Sequence, residues 1–101
     1  GTPSYAKDPG FYTPLLPSPS GRLLAFQNYP PDNYFADAVW VLNLQTKQAR
    51  CVTWEKRQEY WHEPVQWLQG DRSLVFGTAA GRYYVLTLAA NLWESSTRAA
   101  R

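Results

Sequence analysis

Residues 11–26 lie over residues 61–76 at an offset of 50, and a second block resumes at an offset of 44. In the first block Phe11 falls on Trp61, Pro14 on Pro64, Leu15 on Val65, Arg22 on Arg72, Leu24 on Leu74 and Phe26 on Phe76. In the second, Trp40-Val41-Leu42-Asn43-Leu44 falls on Tyr84-Val85-Leu86-Thr87-Leu88, keeping the pattern aromatic, Val, Leu, small polar, Leu. Two blocks in the same order point to a duplication. A duplication leaves a chain of 101 residues few options: one small domain made from two copies of one supersecondary unit.

Both blocks carry the period of a strand, not of a helix. Trp40, Leu42 and Leu44 face one way and Val41 and Asn43 the other; Tyr84, Leu86 and Leu88 oppose Val85 and Thr87 in the same manner. Turn residues precede the earlier strand of each copy, Pro19-Ser20-Gly21 and Gln69-Gly70-Asp71, because Pro presets φ and Gly accepts positive φ. Ala79-Ala80-Gly81 joins the strands of the second copy. The first copy uses the longer Asn28–Asp37 with Pro30-Pro31, and Gln45-Thr46-Lys47-Gln48 then turns the chain into a short strand at 50–53. Each copy is therefore expected to be an antiparallel meander of three or four strands. The expected organisation is an irregular lead-in at 1–10, a first repeat at 11–54, a connector at 55–60, a second repeat at 61–97 and a frayed end at 98–101. Residues 54–63 are rich in helix formers and suggest a helical turn, and a fourth strand of the second copy is expected near Leu92–Ser95. The fold class is all-β, with a small closed barrel or a sandwich as the alternative.

Composition narrows the function. Apolar residues make up 45% and charged residues 18%, a folding composition, and aromatics at 16% favour strands. A net charge of +2 offers nothing to a nucleic acid, and no apolar run is long enough for a transmembrane helix. One cysteine, Cys51, excludes an internal disulfide and a thiolate metal cluster; Cys51 is expected to be a buried small apolar residue. The chain begins Gly-Thr and contains no methionine, so Gly1 is not expected to be a native translation start; a tag remnant, a processed precursor and an excised piece of a longer protein all fit.

The turn Ser18-Pro19-Ser20-Gly21-Arg22, the strand ending Ala25-Phe26 and the strand Trp40–Leu44 resemble the blade repeat of TolB-like β-propellers. That blade also occurs in the propeller domains of prolyl oligopeptidase-type peptidases. The second copy carries the pattern as Pro64, Trp67, Asp71-Arg72, Val75-Phe76 and Tyr84–Leu88, so the resemblance covers roughly 11–97. It departs from the pattern where Ser20 stands for the usual Asp and Leu68-Gln69 for the usual Ser-Pro. What the resemblance implies is a non-catalytic module for protein–protein interaction or scaffolding. Two blades leave apolar faces open, so the module is expected to be completed by self-assembly or by a longer parent chain. The alternatives are the excised propeller part of a prolyl-oligopeptidase-like hydrolase and a small barrel binding a ligand in its lumen.

No nucleophile elbow, phosphate loop or metal-ligand spacing occurs, so no catalytic residue, metal or cofactor is expected. The recognition candidate is the long loop, with Tyr29, Asp32, Tyr34, Phe35 and Asp37; its rings supply rigid contact area and its prolines limit the entropy lost on binding. Asp32 and Asp37 are two carboxylates without the further spacing that calcium needs. Trp54, Trp61 and His62, the last beside Glu63, join the candidate set as a partly exposed group at a surface or interface, whereas Trp40 and Trp67 are expected in the core. Arg22 and Arg72 are expected to be solvated turn residues. The partner is a protein or a second copy, with neither nucleic acid nor a membrane span; a single cysteine and TolB-like kinship are compatible with the periplasm.

Overall fold

The structure, a computed structural model, describes residues 15–54 and 61–94. The expected lead-in, the connector at 55–60 and the frayed end lie outside the described residues, as does most of the helical turn expected within 54–63. Seven strands follow in order: β1 (Leu16–Pro17), β2 (Leu23–Asn28), β3 (Ala38–Asn43), β4 (Gln48–Cys51), β5 (His62–Leu68), β6 (Ser73–Thr78) and β7 (Tyr83–Thr87). They form two antiparallel meanders, a four-stranded sheet ordered β1-β2-β3-β4 and a three-stranded sheet ordered β5-β6-β7. The fold is all-β.

The duplication is present in the strand register. Leu16 faces Ala25 and Pro17 faces Leu24 as Gln66 faces Val75 and Trp67 faces Leu74. Leu24 and Phe26 pair with Leu42 and Trp40 as Leu74 and Phe76 pair with Leu86 and Tyr84. The strand exits match as well: Leu44 N–H donates to Arg22 O at 2.9 Å and Leu88 N–H to Arg72 O at 2.8 Å. Turn chemistry sets these registers. In the first copy Ser18 Oγ accepts from Leu23 N–H at 3.1 Å while Ser18 N–H donates to Leu23 O, and Gly21 at φ 80° supplies the left-handed position that closes the turn. Arg22 and Arg72 are exposed in these turns.

Residues paired across strands share a face. Leu23, Ala25, Val39 and Val41 are buried on one face of the first sheet. They pack on Trp67, Leu74 and Phe76, which belong to the opposite type of face on the second sheet. Each fully buried Val or Leu contributes about 1.5–3 kcal/mol. Polar links cross the same interface, with Trp67 Nε1–H donating to Leu16 O at 2.9 Å and Gln27 Nε2–H to His62 O at 2.9 Å.

Four expectations are corrected. The strands do not close into a barrel, because pairing stops at β1 and β4 in one sheet and at β5 and β7 in the other; among the described residues, the β-ladder pairing between the repeats is the isolated parallel bridge of Asp37 to Trp61. Trp67 is in the core but Trp40 is half-buried on the outer face, because stacking buries the Val39/Val41 side of β3. No strand forms over 89–94. Two turns form there, Leu92 N–H to Ala89 O and Glu94 N–H to Asn91 O, both at 3.1 Å. They swing Trp93 back against the core under the Arg50 guanidinium, 5.8 Å from the ring centre, covering apolar surface that an edge strand would leave open. Cys51 is half-buried at the edge of the first sheet rather than interior, and the short strand begins at Gln48 and ends at Cys51.

Candidate functional site

The loop between β2 and β3 is fastened at both ends and along its middle. Asn28 Oδ1 accepts from Tyr29 N–H, and Trp40 Nε1–H donates to Tyr29 O, each at 2.8 Å. Pro30 and Ala36 are buried. Asn33 holds the crest: its side-chain oxygen accepts from Phe35 N–H at 2.8 Å and its carbonyl from Ala36 N–H at 3.4 Å. At the far end Asp37 O accepts from His62 N–H at 2.9 Å. These bonds fix the backbone while pushing two rings into solvent, Tyr34 at 75% and Phe35 at 95% exposure. Tyr29 supports Tyr34 edge-on, with ring centres 5.6 Å apart. Asp32 is exposed beside them.

Asp37 is half-buried, and burial pushes its carboxyl above the ordinary 3.8. The parallel bridge brings Trp61 to the same end of the molecule, where Trp61 Nε1–H donates to Glu63 Oε1 at 2.8 Å. Thus Tyr29, Asp32, Tyr34, Phe35, Asp37 and Trp61 share one end of the stacked sheets.

Trp54 and His62 do not share that surface. Trp54 is half-buried against the His62 ring, with centres 6.1 Å apart. His62, expected at a surface, is 1% exposed, because it opens β5 on the face that packs against the first sheet. Its ring lies 5.3 Å from that of Phe76, and its Nδ1 is 2.8 Å from Thr53 Oγ1, which also accepts from Val39 N–H at 3.0 Å. A hydroxyl beside an imidazole is the contact used to activate a nucleophile. Here both side chains are buried and the hydroxyl is tied to a backbone amide, so the contact joins the two repeats. Burial pushes the half-buried Cys51 thiol above its ordinary value, against smaller lowering by backbone N–H groups of Trp54 and Thr53, which leaves it a weak nucleophile.

Sequence reasoning missed Thr53 and Gln27 as interior groups, and set Glu63 beside His62 whereas its carboxylate accepts from Trp61. Gln27 carried half a signal: a period of two puts it on the same face as Leu23 and Ala25, and the stacking of the sheets then buries that face. Thr53 and Glu63 gave none, since their partners come from the other repeat or from a side-chain rotamer.

Together these features define an all-β protein of two stacked antiparallel meanders that presents a fastened aromatic loop. Comparison with protein-family models, with curated proteins and with solved structures finds no match for the chain.

Proposed function

We propose that the chain is a non-catalytic, β-propeller-type interaction module whose contact element is the loop at 29–37. The carrying observation is Phe35, almost wholly exposed at the crest of a loop held by Asn33 and by the Trp40 indole. An apolar ring held out in water gives no folding stability and supplies contact area at little entropic cost when a partner covers it. Tyr34 and Tyr29 widen the contact, and Asp32 adds a charge at its rim. The repeated meander suits a scaffold, since each sheet is rigid and its loops vary in length without disturbing register.

The test is to pan a displayed random-peptide library on the immobilised protein and to re-score enriched peptides on Phe35→Ser and Tyr34→Ser variants. Enriched peptides that lose at least about tenfold in affinity on either variant support the reading, as expected for an aromatic anchor. No enrichment, or enrichment indifferent to both substitutions, overturns it.

A further inference from the structure

The two sheets pack asymmetrically. The first contributes the side bearing Leu23, Ala25, Val39 and Val41, whereas the second contributes the side bearing Trp67, Leu74, Phe76 and Leu86. Because the repeats share one register, the sides left outside are again of opposite type. The outer side of the second sheet corresponds to the side that the first sheet buries: Ser73, Val75 and Gly77 stand where Leu23, Ala25 and Gln27 stand. The outer side of the first sheet, with Leu24, Trp40, Leu42 and Ala49, corresponds to the side that the second sheet buries.

The outer side of the second sheet carries exposed apolar side chains. Val85 is 63% and Tyr83 68% exposed, with Val65 exposed and Val75 half-buried beside them. They form one patch around Gly77, since a Cβ placed there would meet the Tyr83 ring at 3.1 Å and Val65 Cγ2 at 3.7 Å. Glu63 lies at its rim, with its carboxylate already engaged by Trp61.

We infer that this outer face of the second sheet receives the outer face of the first sheet of a second copy of the chain, stacked head to tail. The inference rests on reading the chain as a blade-like module. The sheet-on-sheet contact inside the chain is then repeated between chains with the same two kinds of face. Such a heterologous contact closes into a ring or runs on as a filament, depending on the rotation per copy. A three-stranded face six residues long spans on the order of 20 by 14 Å. That footprint, about 280 Å² per copy, is below a standard specific interface and fits only a weak contact, so association is expected to be concentration-dependent and to develop toward the upper micromolar range.

The experiment is sedimentation of the whole chain from about 5 to about 500 µM, a range chosen for a small interface. The wild type is expected to rise above 11.6 kDa with concentration. Val85→Glu, at an exposed position, is expected to keep the wild-type circular dichroism and to weaken association at least about tenfold, because it places a charge in the contact. Ala49→Glu on the edge strand of the first sheet is expected to do the same, with Leu42→Glu as the second probe of that face. Each variant keeps one intact face, so mixing Val85→Glu with Ala49→Glu is expected to restore a one-to-one dimer. Phe35→Ser is expected to assemble as the wild type does, so failure of the peptide-binding test leaves this inference standing and the reverse also holds. A monomer throughout the range overturns the inference. So does dissociation by Val85→Glu with neither Ala49→Glu nor Leu42→Glu having an effect, the mark of a symmetric contact, or a mixture that stays monomeric.

Discussion

The Ser20 hydroxyl and Ser20 N–H both donate to the Asp71 carboxylate, the amide at 3.3 Å, joining the turn before β2 to the turn before β6. The two residues are 51 apart in sequence yet occupy neighbouring places in equivalent turns of the two repeats. The contact ties the repeats at their turn end, while Thr53 and His62 tie them at the other side of the core.

Donation from the Ser20 hydroxyl is the largest influence holding the Asp71 carboxyl below its ordinary 3.8, and it outweighs the opposing effect of burial. A depressed native pKa gives stability that is present above the unfolded value and is lost as pH falls through the native one. Asp71→Asn is therefore expected to cost about 0.5 kcal/mol at pH 7, kept small because the pair is solvated. The gap from wild type should close below pH 3.8, as urea melts at a series of pH values would report.

Asp37 has the opposite sign. Burial raises its native pKa, so the ionised carboxylate costs stability above that value, and the cost disappears as pH falls through it toward 3.8. Asp37→Asn keeps the backbone carbonyl that receives His62 N–H and should stabilise the protein at pH 7. The gain should be a few tenths of a kcal/mol, since the group is partly solvated, and should shrink in acid. Thermal melts at pH 7 and pH 3.5 check it.

Thr53 Oγ1 serves two groups, Val39 N–H and His62 Nδ1. Thr53→Val preserves shape and removes the buried oxygen that Val39 N–H and His62 Nδ1 share, for an expected loss of about 1–3 kcal/mol in chemical denaturation. Amide exchange at Val39 should quicken by more than at Gln48, which pairs on the same sheet far from this contact.

Leu24 and Leu74 occupy the same place in the two copies and face the equivalent residues Leu42 and Leu86. Only Leu74 is fully buried; Leu24 is half-buried on the outer face. Leu74→Ala is expected to cost about 2–5 kcal/mol, enough to unfold much of a domain this small. Leu24→Ala, measured at low micromolar concentration, should cost less than half as much. Equal losses would show that the two outer faces are not what distinguishes the copies.

Most strand positions and the turns at Gly21, Gly70 and Gly81 were legible because they are local, although the short strand sits at Gln48–Cys51 and none forms over 89–94. Alternation with a period of two, and residues that accept particular φ values, act within a few positions of chain. The loop at 29–37 was legible as an insertion between otherwise matching strands, and its exposed rings follow from Asn33 and the prolines. Its closure on Trp61 was not, since that bridge joins residues from different copies. The alternation also left undecided which side of each strand is interior, because both sides of β2 and β3 carry apolar residues. Only the stacking of the sheets decided it. Two equivalent sheets packed with unlike faces bury opposite sides of one repeated pattern, so Leu74 and His62 went inside while Leu24 and Trp40 stayed at the surface.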